Sequence, residues 1–276
     1  MSVTPRFDVK IWGARGSLPV ASPCFAEFGS NTVCIEVRCG DQVLLFDAGS
    51  GIGMAGKALL EQGARHLNLF FSHCHYDHIL GLPFFIPFFM PDMVIDIWSG
   101  HQSDATTATM ISDFMARPFF PVGPEVFRAK VTMRDFVPGA VLMPGDGVVM
   151  HTARLDHPGG AVGYRIEFGG RVVAMVFDTC HTPDVLDPGV LDLIRGADLF
   201  LYDATFSDEE FKTFAHFGHS TWQHGVRLAQ AAGAARVGMI HHATFRTDDE
   251  LTRIEQDAQA LFPGAFCGRD FQVISV

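Results

Sequence analysis

The sequence predicts an α/β protein in which β-sheets lie sandwiched between helices. Three observations support this fold class. The early half of the chain is rich in strand patterns, and the late half alternates strands with helices. The chain has 276 residues, 48% of them hydrophobic, which is enough to bury one large core. No linker, low-complexity tract or repeat interrupts it, so we expect a single domain over residues 1–276.

The first elements are three strands, followed by a helix and a fourth strand. FDVKIWG (7–13), TVCIEVRC (32–39) and QVLLFDAG (42–49) are enriched in β-branched and aromatic residues, as strands are. GIGMAGKALLEQG (51–63) has apolar residues at helical spacing and ends at a glycine. LNLFF (67–71) is a short, fully apolar strand.

The middle of the chain, residues 84–147, has the weakest pattern. MVIDIWSG (93–100) is typical of a strand, DATTATMISDFMAR (104–117) of a helix, and RPFFPVGPEVF (117–127) of a loop. We expect residues 84–147 to form an insertion or lid region on the substrate side of the domain.

The late half reads as strands with helices between them. The predicted strands are 148–157, 161–170, 171–179, 197–206 and 235–242, and the predicted helices are 220–233 and 247–262.

The densest group of possible ligands is HCHYDH (73–78), which follows LNLFF after one serine. His73 and His75 are two positions apart, so on an extended turn they point to the same side. Asp77 and His78 can face a second point, and the segment therefore predicts two metals rather than one. Imidazole nitrogen with carboxylate oxygen suits zinc, manganese or iron. The alternative is a polar turn that happens to contain histidines.

Further ligands are expected where other apolar strands end. His157, Asp178 and His241 each end such a strand, and open α/β sheets place their sites at the carboxyl ends of strands. His242 is an alternative to His241; because neighbouring strand residues face opposite sides, only one should bind, and we favour His241. His181 follows Asp178 by three residues and is either a pocket residue or a surface histidine.

The chain resembles the metallo-β-lactamase superfamily. The resemblance rests on HCHYDH, LDHPGGAVGYRIE (155–167), VFDT (176–179), YDATF (202–206), GHST (218–221) and MIHH (239–242), which follow one another in the order found in that family. It implies a four-layer αββα sandwich and two divalent metal ions, zinc first, with manganese or iron as alternatives. The implied first-metal ligands are His73, His75 and His157; the second-metal ligands are Asp77, His78 and His241; Asp178 bridges both.

The same motifs resemble the phosphodiesterase branch of the superfamily, which includes the tRNA 3′-end endonuclease and the phosphoribosyl cyclic phosphodiesterase. Asp178 stands where the β-lactamases usually have a cysteine, which argues against lactamase activity. The resemblance to this branch implies that His219 protonates the leaving group and that Asp203 orients His219. Asp77 is counted with them as catalytic.

We therefore expect a dinuclear metal-dependent hydrolase that cleaves a small phosphodiester, including cyclic ones, by means of a metal-bridging hydroxide. Two alternatives stay open: a lactone or thioester hydrolase of the same fold, and an iron redox or sensing module. Relatives with oxygen chemistry tend to carry a glutamate where His75 stands, which disfavours the second alternative.

The charge and the termini suggest partners and location. A formal net charge of −11 repels polyanions at long range, so we expect a small anionic substrate and no extended nucleic acid. We expect no membrane association, because no apolar stretch is long enough to span a bilayer. The chain lacks a signal pattern and its six cysteines have no CxxC spacing, which predicts reduced thiols and a cytoplasmic location. A homodimer is left open.

Overall fold

The computed structural model describes residues 5–276, which form two seven-stranded sheets and seven α-helices. The first sheet contains β1 (Phe7–Gly13), β2 (Cys34–Cys39), β3 (Gln42–Phe46), β4 (His66–Phe70), β5 (Val94–Ser99), β6 (Lys130–Asp135) and β14 (Val273–Ser275). The second contains β7 (Val141–Gly145), β8 (Val148–Leu155), β9 (Ala161–Phe168), β10 (Arg171–Val176), β11 (Leu199–Asp203), β12 (Val237–Ile240) and β13 (Ala265–Cys267). The helices are α1 (Ile52–Glu61), α2 (Tyr76–Ile79), α3 (Thr107–Phe114), α4 (Pro188–Ile194), α5 (Asp208–Phe214), α6 (Trp222–Ala232) and α7 (Asp248–Leu261).

The two sheets have the same internal arrangement. The strand orders are β14-β1-β2-β3-β4-β5-β6 and β13-β12-β11-β10-β9-β8-β7. In the first sheet, the pairs from β14 to β3 are antiparallel and those from β3 to β6 are parallel. In the second, the pairs from β7 to β10 are antiparallel and those from β10 to β13 are parallel. Each sheet therefore has a set of parallel strands whose carboxyl ends can share one edge.

Three apolar clusters give the molecule four layers. The central cluster lies between the sheets and joins side chains of both, such as Phe46 and Tyr164. A second cluster packs α4, α6 and α7 on the outer face of the second sheet. A third packs α1 and α3 on the outer face of the first. The predicted four-layer αββα sandwich is confirmed.

Helix α6 begins at a cap that also fixes a candidate site residue. The Thr221 side chain accepts a hydrogen bond from the His224 backbone N–H, and the helix ends at Gly233 in the left-handed conformation. Because Thr221 belongs to the GHST motif, the same cap anchors the loop that carries His219.

The middle segment contributes strands to both sheets as well as loops. The strand predicted at 93–100 is β5, whereas β6 and β7 were not predicted. The helix predicted at 104–117 is shorter, since Thr106 is extended and caps α3 with its side chain. A lid role for residues 84–147 stays a prediction and would fall to the loops between these elements. Among residues 5–276, no helix has the length and apolar character needed to cross a bilayer.

Candidate metal centre

The seven predicted ligands meet at one edge of the sandwich. HCHYDH follows β4 of the first sheet. His157, Asp178 and His241 follow β8, β10 and β12 of the second sheet by one or two residues. The seven ligand candidates divide into two groups that share Asp178, and within each group the ligand atoms lie within 4.8 Å of one another. Asp178 and His241 also form a third group of this kind with Asp203 and His219.

The first group consists of His73, His75, His157 and Asp178. Asp178 Oδ2 lies 3.5 Å from His73 Nε2 and 3.7 Å from His157 Nε2. His157 Nε2 is 3.0 Å from His75 Nδ1. Three imidazoles and a carboxylate thus converge on one point, which is a donor set that suits zinc.

The second group consists of Asp77, His78, His241 and the other oxygen of Asp178. Asp178 Oδ1 is 3.2 Å from both His78 Nε2 and His241 Nε2. Asp77 Oδ2 is 3.3 Å from His78 Nε2 and 3.1 Å from His241 Nε2. Since its two oxygens face different groups, Asp178 is placed to bridge two ions.

The outer nitrogens of four histidines are all hydrogen-bonded. The Nδ1–H of His78 donates to Asp47 Oδ2 over 2.8 Å, and that of His157 donates to the Gly218 carbonyl over 2.8 Å. The remaining two, His73 and His241, use hydroxyl acceptors, Ser72 Oγ at 3.1 Å and Thr205 Oγ1 at 2.8 Å. Such outer bonds fix the tautomer and aim the Nε2 lone pairs at the centre.

This arrangement fits cations at the centre of each group. His73 Nε2, His78 Nε2 and Asp178 Oδ1 are buried and make no hydrogen bond within residues 5–276. The Nε2 lone pair of His241 faces the Asp77 carboxylate at 3.1 Å. Two hydrogen-bond acceptors this close repel each other, and a cation between them would remove the repulsion. Burial and the nearby His78 lower the pKa of His73, which keeps its imidazole neutral. Burial opposes ionisation of Asp178, but the surrounding histidines hold its pKa well below the usual range.

Backbone strain is concentrated at the strand ends that carry the centre. Asp47, Asp178 and His241 have φ of 61°, 40° and 60°, which is the left-handed region that non-glycine residues rarely adopt. Asp47 also accepts bonds from Ser72 N and Ser72 Oγ, both at 2.7 Å, so it ties the β3 end to the histidine segment. Strain of this kind persists where function requires it.

His219 lies beside the centre, and its ring is hydrogen-bonded to Asp203. Its Nδ1–H donates to Asp203 Oδ2 over 3.0 Å. Asp203 also accepts from the Thr205 hydroxyl at 2.7 Å and from Thr179 N at 3.1 Å. Burial alone would lower the pKa of His219, but the charges of Asp203 and Asp178 and the bond to Asp203 raise it to about 9. The neighbouring carboxylates therefore favour the protonated imidazole of His219, and this residue lines the cavity over the centre.

Three contributors were not predicted from the sequence. Ser17 donates its backbone N–H to Asp77 Oδ2 over 2.7 Å, and a Cβ at Gly16 would lie 2.1 Å from the His241 ring. Thr205 links His241 to Asp203. Thr205 belongs to YDATF and follows a strand end, so the strand-end rule could have found it. Ser17 and Gly16 lie in a loop with no local signal of this role.

The two uncertain histidines lie outside both metal groups. His242 Nε2–H donates to the Gly268 carbonyl over 2.9 Å, on the other side of the strand end from His241. His181 Nδ1 pairs with Ser220 Oγ at 2.7 Å, and its ring stacks on His224 and Phe211.

Comparison with known proteins places this geometry in a family. The model of the β-lactamase superfamily domain matches residues 43–242. A ribonuclease Z of Bradyrhizobium sp. (strain ORS 278) is 26% identical and aligned over 98% of this chain and 100% of its own. Human tRNase Z, short form, superposes with a TM-score of 0.69 at 22% identity, over 98% of this chain and 99% of its own. Zn²⁺-bound PqqB of Methylobacterium extorquens superposes with a TM-score of 0.73 at 18% identity, over 98% and 100% of the two chains.

These relatives correct one prediction. The net charge of −11 predicts that extended nucleic acid is not a partner. That exclusion is wrong, because relatives named ribonuclease Z match along 98% of the chain. The physical reason is that the local charge of metal ions at a site outweighs the field of the whole surface.

Proposed function

The chain belongs to the β-lactamase superfamily and is a metal-dependent hydrolase, and from this premise we propose that its substrate is a phosphodiester. The observation that carries the proposal is the pairing of His219 with Asp203 beside the two metal groups. A protonated imidazole at this position serves an ester whose leaving alkoxide needs a proton.

The residues that would hold two divalent ions are the ligand sets predicted from the sequence. His73, His75 and His157 would hold the first ion, and the second ion would be held by Asp77, His78 and His241, with Asp178 on both. Zinc suits the histidine-rich set best. When bound, such ions lower the pKa of a water to about 7 and stabilise charge on phosphoryl oxygens.

The protein's own groups would orient the substrate and move the proton. Asp203 holds Nδ1 of His219, so Nε2–H is the donor that faces the leaving oxygen. Ser17 N–H holds Asp77 Oδ2, and Thr205 keeps both His241 and Asp203 in place. The open cavity over the centre measures about 510 Å³, a volume suited to a small diester, including a cyclic one.

A substrate panel tests the proposal. Metal-free protein is reloaded separately with zinc, manganese and iron(II). It is then assayed on bis(p-nitrophenyl) phosphate, 2′,3′-cyclic nucleotides, a short RNA, a lactone and a thioester. We expect the diesters to be cleaved with at least 100-fold higher kcat/KM than the lactone or thioester.

Two variants serve as controls. Asp178→Ala should lose both ions and all turnover, whereas Asp192→Ala, a highly exposed carboxylate, should keep both. A preference for the lactone or the thioester would contradict the proposal. Cleavage of the RNA in place of the small diesters would retain the chemistry and reject the small substrate.

A further inference from the structure

Tyr76 belongs to the ligand segment, and the proposed mechanism assigns it no role. It stands between His75 and Asp77 as the first residue of α2. It is 74% exposed, while Asp77 and His78, the two residues that follow it, are buried. A tyrosine this exposed beside the ligand candidates is available for contact with a bound substrate.

The contrast with the other two tyrosines is clear. Tyr164 is buried and donates its hydroxyl to the Phe71 carbonyl over 2.6 Å. Tyr202 is buried and its hydroxyl pairs with Ser220 Oγ at 2.8 Å. Within residues 5–276, Tyr76 has neither a side-chain hydrogen bond nor a ring partner among the aromatic side chains. Both its ring and its hydroxyl are free for a ligand.

Tyr76 lines the cavity over the metal centre. The other lining residues are polar or small: Ser17, Cys74, His75, Asp77, Asp178 and His219. Tyr76 alone among them offers a flat hydrocarbon ring. A phosphodiester whose phosphate lies at the ligands must pass its organic groups outward along this wall.

The backbone holds Tyr76 at that wall. Its carbonyl accepts the Leu80 N–H over 2.8 Å, and the His75 carbonyl accepts the His78 N–H over 3.0 Å. Because both sequence neighbours are ligand candidates, the Cα of Tyr76 cannot move away while the centre is assembled. The point at which the ring is attached is therefore fixed at this wall, beside the ligand candidates.

We propose that Tyr76 stacks on a flat aromatic ring carried by the substrate, so that this site selects aryl or nucleoside phosphodiesters over alkyl ones. The inference rests on the proposed function and specifies its substrate class. Stacking of a base on one aromatic side chain corresponds to about 5- to 150-fold in affinity.

Three diesters with one non-aromatic leaving group provide the kinetic test: the methyl, benzyl and thymidine 5′ esters of trifluoroethyl phosphate. In Tyr76→Ala, kcat/KM should fall about 5- to 150-fold on the benzyl and thymidine esters and stay within twofold on the methyl ester. Tyr76→Phe should restore the preference, because it keeps the ring. The benzyl and thymidine esters separate a general preference for an aromatic ring from recognition of a nucleobase.

A binding measurement makes the result independent of turnover. Zinc-loaded protein is titrated calorimetrically with thymidine 5′-monophosphate and with methyl phosphate. We expect the wild type to bind thymidine 5′-monophosphate about 5- to 150-fold more tightly than methyl phosphate. Tyr76→Ala should lose this difference in affinity while its zinc content stays unchanged. Phe119→Ala, which removes another exposed ring outside this cavity, should retain the difference.

The outcomes separate the two claims. If no diester is cleaved but the nucleotide preference is present and depends on Tyr76, the proposed function fails and the stacking role stands. If the diesters are cleaved but Tyr76→Ala lowers all three rates equally, or the wild type binds both phosphates alike, the stacking role is wrong.

Discussion

His219 is the residue on which the difference between binding and catalysis can be measured. Its Nδ1 is held by Asp203, and it lies outside the two groups formed by the seven ligand candidates, although it shares a third group with Asp178, Asp203 and His241. We expect His219→Gln to slow hydrolysis of an alkyl diester about 10²- to 10⁴-fold, since a poor leaving group needs the proton. Hydrolysis of a p-nitrophenyl diester should slow only slightly, because its leaving group departs without being protonated.

The measurement is kcat on both diesters together with metal content by elemental analysis. His216→Ala, an exposed histidine three residues earlier, is the matched control and should change neither. An equal loss on both esters, or a loss of metal, would show that His219 is not the general acid.

Gly16 shows how one absent side chain can shape a ligand. A Cβ built there would lie 2.1 to 2.6 Å from three atoms of the His241 imidazole. We expect Gly16→Ala to displace that ring and to lower the metal stoichiometry from two ions towards one. Metal analysis after gel filtration checks this. If the variant retained two tightly bound ions, the absence of a side chain at Gly16 would not be needed for the position of His241.

At the scale of elements, the ligand candidates could be found in the sequence because each follows an apolar strand. LNLFF, RVVAMVFD and ARVGMIH all have strand patterns, and the structure brings together the polar residues at or just after their ends. β6 and β7 were missed because they are partly exposed edge strands with weak alternation. α4 was missed because it is only seven residues long and begins with a proline. Ser17 was missed because its contact with Asp77 spans 60 residues.

Helix α1 contains two glycines that test packing against helix propensity. A Cβ at Gly53 would meet nothing within 4 Å, whereas one at Gly56 would lie 2.8 Å from Phe85 and Pro87 side-chain atoms. We expect Gly53→Ala to raise the free energy of unfolding by about 0.5–1 kcal/mol, because alanine favours the helix.

Gly56→Ala should lower the free energy of unfolding by about 1–3 kcal/mol, because the added methyl group overpacks the interface between α1 and the segment that carries Phe85 and Pro87. Urea denaturation of both variants measures the difference. The same sign of change in both would mean that α1 does not pack as described.

At the scale of the molecule, the candidate metal centre connects the two sheets. Four ligand candidates come from the segment after β4 in the first sheet, and three come from strand ends in the second. Without cations, this edge contains buried imidazole nitrogens and a carboxylate oxygen that make no hydrogen bond. Burying such groups without partners costs free energy, so ions that satisfy them should stabilise the whole fold rather than the site alone.

Removal of the ions should therefore lower the thermal stability of the entire domain. At a free zinc concentration of roughly 100 times Kd, two sites add about 5 kcal/mol to the free energy of unfolding. For a chain of this size that corresponds to a rise in Tm of roughly 10 °C. Scanning calorimetry with zinc and with a chelator measures the difference.

Two variants serve as controls for this measurement. Asp178→Ala should show no zinc-dependent rise in Tm, because the two oxygens of Asp178 face both ligand groups in the wild type. Asp192→Ala should match the wild type. Equal Tm values with and without zinc in the wild type would mean that the two sheets do not depend on the centre for their association.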